Sequence, residues 1–180
     1  MPSPATPRRA GTESPAGQST GLPGWQISHW FNTTTRIDLD DLRGRVVLIH
    51  AFQMLCPACV AHGLPQALRV HEVFQGEAVT VIGLHTVFEH REVMGSPALQ
   101  AFIHEYRLRF PVGVDAPSDG VSGIPRTMQR LALEGTPTTL LLDRQGRLRL
   151  RHFGHVEDLQ LGVVLGRLLA EPKPLAAASA

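Results

Sequence analysis

Seven consecutive residues, Val46-Val47-Leu48-Ile49-His50-Ala51-Phe52, run almost without a polar break and end just short of a cysteine pair, Cys56 and Cys59. A β-branched apolar run this continuous does not suit a strand with one wet face; it predicts a central strand covered on both sides. Covering both sides takes helices, so a layered α/β arrangement is the expected architecture. The two cysteines are the chain's whole complement and sit three apart. One such pair makes no disulfide framework and does not complete a four-ligand zinc site. A bridge across so short a loop also restricts little of the unfolded chain, so redox chemistry is the reading that remains.

The other elements follow from periodicity and punctuation. A helix is expected from Pro57 to Phe74, with Val60, Leu64, Leu68 and Val73 on one face and Pro65 removing a backbone donor and kinking it. Val79 to Leu84 reads as a second buried strand. Ser96 and Pro97 read as N-cap and first-turn proline of a helix striped by Leu99, Phe102, Ile103 and Tyr106. Pro111 to Val114 reads as a strand and Ala116 to Pro125 as a loop. Thr138 to Leu142 and Leu148 to Phe153 flank Asp143-Arg144-Gln145-Gly146-Arg147 as an antiparallel hairpin with Gly146 at positive φ. Leu161, Val164, Leu165 and Leu168 mark a last helix, giving the order β-α-β-α-β-α-β-β-α. Residues 1–24, poor in large apolar side chains, are expected to form a disordered arm, 25–170 the folded domain and 171–180 a flexible tail.

A net charge of +1 over 180 residues gives no global field for nucleic acid or an anionic membrane. No apolar run approaches the roughly 18 residues of a membrane span, and the first 24 residues lack the apolar core of a secretory signal, so the expected location is the cytoplasm. Trp25, Trp30 and Phe31 are expected to cover a sheet edge, and the arginines from Arg144 to Arg151 to form a solvated hairpin face.

Three segments in order carry a resemblance: Leu39-Asp40-Asp41-Leu42-Arg43-Gly44-Arg45 leading into the first strand, Cys56-Pro57-Ala58-Cys59, and Gly135-Thr136-Pro137-Thr138-Thr139 before the hairpin. Over roughly residues 36 to 170 the chain resembles the thioredoxin superfamily, in its TlpA-like redoxin branch of thiol-disulfide oxidoreductases. The resemblance implies a thioredoxin-like α/β fold, a mixed central sheet flanked by helices. It also implies a cis Thr136-Pro137 peptide beside the cysteines. Four departures stand out. Leu55 replaces the branch's frequent Trp, and His50 stands where thioredoxin has a buried acidic side chain. Pro65 lies nine residues after Cys56 instead of eight. The long interval between Cys56 and Pro137 implies insertions around His85 to Gly95 and Ala116 to Pro125.

At a strand-to-helix junction Cys56 would face unpaired N–H groups and the positive end of the helix dipole, both favouring thiolate. Cys56 is therefore expected as nucleophile and Cys59, one turn on, as resolving thiol. His62 and His50 are candidates for moving the proton Cys59 must lose. Pro57, Thr136 and Pro137 are candidates for binding an extended substrate segment. The expected partners are protein disulfides and an unknown electron donor. Neither metal nor cofactor is expected, and the expected state is a monomer or weak dimer. Two rivals remain. One is a peroxiredoxin-like peroxidase, disfavoured because Gln53 occupies the position where peroxiredoxins carry a Thr; the other is a non-catalytic thioredoxin-like interaction module.

Overall fold

The computed structural model describes residues 21–118 and 123–172. In chain order its strands are β1 (Ile27–Phe31), β2 (Val46–Phe52), β3 (Val79–His85), β4 (Val112–Asp115), β5 (Thr138–Leu142) and β6 (Leu148–Phe153). The α-helices are α1 (Leu64–Val73), α2 (Ser96–Glu105), α3 (Arg126–Arg130) and α4 (Asp158–Ala170). The strands form one mixed sheet in the order β1-β4-β3-β2-β5-β6. β2, β3 and β4 run parallel, while β5, β6 and β1 are antiparallel to their neighbours.

β2 lies at the middle of this sheet, buried along its whole length as its composition requires. Val46, Leu48 and Phe52 pack beneath Leu64, Ala67 and Val70 of α1, with Leu99 of α2 and Leu161 and Leu165 of α4 in the same cluster. Val47, Ile49 and Ala51 face the other way, toward Trp25, Met128 and Leu131. The pairing register places Ala51 opposite Thr138, so the start of β5 is brought against the end of β2. Two segments some eighty residues apart in the chain thereby meet at one end of the sheet.

Several expectations are corrected. Ile27–Phe31 is a strand, not a loose cover: it pairs with β4 as the sheet edge, and Trp25 is 4% exposed with its indole donating to the Ile37 carbonyl at 2.9 Å. The expected arm reaches too far. Residues 1–20 lie outside the described residues, but Gly21 bridges to Arg147 and Leu22 packs on the core. The expected tail likewise begins too early, because Glu171 pairs with Arg149 and its carbonyl accepts from Arg144; residues 173–180 lie outside the described residues. The N-cap of α2 is Gly95, with Ser96 and Pro97 inside the first turn, and Tyr106 is exposed at its C-cap. β4 starts at Val112, and α3 follows Pro125, where no helix residues were assigned from sequence.

The expected helix does run from Pro57 to Val73, but it changes type on the way: Pro57 and Ala58 are α-helical, Cys59–Gly63 is π-helical, closed by the Leu64 N–H on the Cys59 carbonyl, and α geometry resumes at Leu64 with Pro65 in the first turn of α1. A π turn holds one residue more than an α turn, which accommodates the extra residue before Pro65. Pro65 has no N–H to return to the preceding turn, so the helical ladder lacks that bond where π and α geometry meet. The shifted register buries Leu64, Ala67 and Val70, leaves Leu68 partly buried, and turns Val73 to solvent at 73% exposure.

The hairpin arginines Arg147, Arg149 and Arg151 are solvent-exposed as expected, whereas Arg144 is buried, and the face is tied inward by Asp143. Asp143 is buried at the turn, accepts from the backbone N–H groups of Gln145 and Arg147, and pairs with the side chains of Arg147 at 2.7 Å and Arg149 at 3.1 Å.

Candidate active site

Cys56 and Cys59 are joined as a disulfide with their Cα atoms 5.2 Å apart. Local chain geometry explains the placement: β2 ends at Phe52, the Cys56 N–H returns to the Gln53 carbonyl, and the Val60 N–H bonds the Cys56 carbonyl to open the helical segment. Cys56 therefore stands at a helix N-terminus, where the first amides lack intrahelical acceptors. One of them is used: the Cys59 N–H donates to Cys56 Sγ at 3.2 Å. In the reduced state that donor and the dipole stabilise negative charge on Cys56.

The two sulfurs differ in access. Cys56 is half-buried between exposed Leu55 and Pro57, whereas Cys59 is fully buried in the core cluster. Cys56 Sγ lies 3.6 Å from the Thr136 carbonyl oxygen. The Thr136-Pro137 peptide is cis, and the Pro137 carbonyl accepts from the Gly154 N–H at 2.8 Å. Of the expected binding residues, Thr136 thus lies against Cys56, while Pro57 follows Cys56 and Pro137 follows Thr136 in the chain.

The two histidines part company. His50 is 2% exposed, its Nε2 has no hydrogen-bond partner, and burial lowers its pKa to about 4. Its ring lies directly under the π turn that carries Cys59; a β-carbon on Gly63 would stand 2.5 Å from His50 Nε2. Glycine is thus required there for lack of space. His62 is exposed on the same turn, and its neighbour is the His155 ring, with centroids 5.2 Å apart.

In the sequence Gln53 argues only against a peroxidase. The side chain is buried and acts as a clamp: Oε1 accepts from the Phe88 and Glu89 N–H groups at 3.1 and 3.3 Å, and Nε2 donates to Thr136 Oγ1 at 3.5 Å. It joins the segment after β3 to the loop that faces Cys56. Its position three before the nucleophile was the available signal, but its partners lie 35 and 83 residues away.

Comparison with known proteins agrees with this geometry. The AhpC/TSA family model matches residues 23–151. The crystal structure of a thioredoxin-like superfamily protein is 52% identical, superimposes with a TM-score of 0.83, and is matched over 87% of this chain and 100% of that one. A thiol-disulfide isomerase from Corynebacterium glutamicum is 48% identical, with a TM-score of 0.79, over 84% of this chain and 97% of that one. Protein DipZ of Mycobacterium bovis and of Mycobacterium tuberculosis is 27% identical over 161 residues, 88% of this chain and 21% of DipZ. The chain therefore spans about a fifth of the length of these curated relatives. With the mixed sheet, the strand-to-helix cysteine pair and these matches in agreement, the chain belongs to the AhpC/TSA family and is a redox-active thioredoxin-like protein of the redoxin branch.

Proposed function

We propose that the protein is a thiol-disulfide oxidoreductase acting on protein disulfides, with Cys56 as nucleophile and Cys59 as resolving thiol. The observation that carries this reading is the asymmetry of the pair: one sulfur is reachable, held by an N–H and next to the Thr136 carbonyl, and the other is sealed in the core. In the reductive direction the Cys56 thiolate attacks a substrate disulfide. A mixed disulfide forms and one substrate thiolate leaves. Cys59, deprotonated, attacks Cys56 Sγ, the second substrate thiolate leaves, and the enzyme retains the Cys56–Cys59 disulfide. An external dithiol then returns two electrons to the pair. Exposed Leu55 and Pro57, facing the half-buried Thr136 that precedes buried Pro137, offer an extended segment a backbone partner with little sequence demand.

Cys59 must lose a proton inside the core. His50 suits that task better than His62, since its neutral imidazole with an unpartnered Nε2 lies beneath the turn holding Cys59. A cytoplasmic setting belongs to the same proposal, supported by a cysteine content confined to the redox pair. No helix among the described residues is long and apolar enough to cross a membrane. The decisive test is Cys59→Ser: Cys56 should still attack, and partners should be trapped as mixed disulfides released by dithiothreitol. Insulin reduction should fall by roughly 10³-fold or more in both Cys56→Ser and Cys59→Ser. Absence of adducts from Cys59→Ser, with unchanged insulin reduction in Cys56→Ser, would sink the reading.

A further inference from the structure

The π turn that buries Cys59 leaves His62 on its outer side, exposed to solvent. Far along the chain, in the connection between β6 and α4, His155 is exposed beside it. The two ring centres lie 5.2 Å apart, with the rings tilted by 41°. Among the described residues neither ring donates or accepts a hydrogen bond, so the nitrogens of both imidazoles are uncommitted.

The backbones that carry the pair are held on both sides. His62 belongs to the turn closed by the Leu64 N–H on the Cys59 carbonyl. The His155 carbonyl oxygen meets His152 Nε2 at 3.0 Å. Buried Gln66, one turn on from His62, donates through Nε2 to the Val156 carbonyl at 2.6 Å and to Asp158 Oδ1 at 2.7 Å. Arg69 closes the contact by pairing with Asp158 at 2.9 Å. The two imidazoles are therefore brought together by a fixed junction of α1 with the start of α4, and a ligand bridging them need not organise the chain first. Imidazole is the commonest protein ligand for transition metals. A Zn²⁺ ion about 2.0–2.1 Å from one nitrogen of each ring, at a tetrahedral angle, sets the ring centres about 5 Å apart, which is the spacing found.

We infer that His62 and His155 form a two-imidazole site for a divalent transition-metal ion of the Zn²⁺ type, with water in the remaining coordination positions. Among the described residues no group of three or more His, Cys, Asp or Glu side chains is placed to hold a metal, so the site is an open one, unlike a four-ligand structural zinc centre. Asp158 supplies field in place of a bond. Its carboxyl is held below the usual carboxylate range by the hydrogen bonds from Gln66 and Arg69 and by charge on Arg69 and His155, so it stands as an anion near the pair, partly offset by Arg69. Two nitrogen donors select against Mg²⁺ and Ca²⁺, which take oxygen ligands. When filled, the ion ties the π turn to the connection between β6 and α4.

The test uses the full chain in its oxidised form, so that neither sulfur competes as a thiolate. Zinc chloride is titrated in while the histidine rings are followed in ¹H–¹⁵N correlation spectra, and calorimetry supplies the stoichiometry and Kd. The His62 and His155 rings should shift together and saturate with one ion per chain. His62→Gln and His155→Gln, both at exposed positions, should each weaken Zn²⁺ binding by about tenfold or more. Zn²⁺ should raise the thermal midpoint of the wild type and leave that of either variant unmoved. Magnesium chloride at the same ionic strength should move neither ring. Rings that fail to shift together, a Zn²⁺ affinity unchanged by either substitution, or Mg²⁺ acting as Zn²⁺ does would each overturn the assignment.

Discussion

The carboxylate at one end of the sheet and the imidazoles at the other are treated in opposite ways, although the hairpin end also buries an unpartnered Arg144 Nε and the cysteine end a well-bonded Asp115. At the hairpin end Asp143 accepts from two backbone amides and pairs with two arginines, and Glu171 extends the network by pairing with Arg149. Toward the cysteine end His50 and His85 are buried with unpartnered ring nitrogens, and the Gln53 bond to Thr136 is stretched to 3.5 Å. A fully satisfied buried network holds structure together, while unsatisfied polar groups reduce stability and leave bonding capacity for chemistry or ligands. The hairpin end therefore secures the fold, and the cysteine end forgoes stability for function.

The largest test of this contrast is acid. His50 and His85 sit at about 4 because burial disfavours their charged forms, against about 6.5 for an ordinary imidazole. As pH falls through 6.5 the unfolded chain takes up protons that the native state refuses, so stability drops until about pH 4 and no further from this source. The full interval corresponds to about 3 kcal/mol per imidazole. Urea midpoints measured across that range should fall steeply; a flat profile would remove the basis for calling this end strained.

Next in size is Asp143→Ala, which strands two backbone amides and two arginines. With the arginine heads about half in water, the expected loss is about 2–3 kcal/mol in urea denaturation. Burial by itself raises the Asp143 pKa, but the hydrogen bonds from Arg147, Arg149 and Gln145 outweigh it and leave it lowered. Its contribution is thus complete above the ordinary carboxylate range and vanishes as pH falls through the folded value, below about 3.9. The acid limb lying under the histidine window should be missing in Asp143→Asn.

Gly63→Ala pushes a β-carbon onto the His50 ring and should cost about 1–3 kcal/mol. In the His50→Ala background the same change should cost about 1 kcal/mol less, a coupling that would be absent if His50 merely filled space elsewhere. The smallest effect is expected for Gln53→Ala: about 1 kcal/mol of stability, with a raised KM for insulin as the loop facing Cys56 loosens from the segment after β3. An unchanged KM would mean that the clamp serves packing alone.

Much of this could be read beforehand. β2, β5 and β6 were legible to the residue because a continuous apolar run and a glycine-containing turn are local signals. β1 was not, since Ile27–Phe31 is a half-exposed edge whose identity depends on pairing with β4 some eighty residues away. The π turn and the burial of Val70 in place of Val73 also escaped, because a 3.6-residue period presumes a helix that is α throughout. Likewise α3 is five residues long and takes its cap from Asp115 of another element.

By itself the sequence determined the chemistry and the central strand: two sulfurs one turn apart after a buried run specify a redox pair at a strand-to-helix junction, through interactions that span only a few residues. Tertiary structure alone decided which groups surround that pair. The register of β5 on β2, the ring of His50 beneath Gly63, the Gln53 clamp and the unpaired imidazole of His85 all arise from contacts between distant segments. Such contacts depend on how packed layers meet in space, and no local period or propensity encodes that.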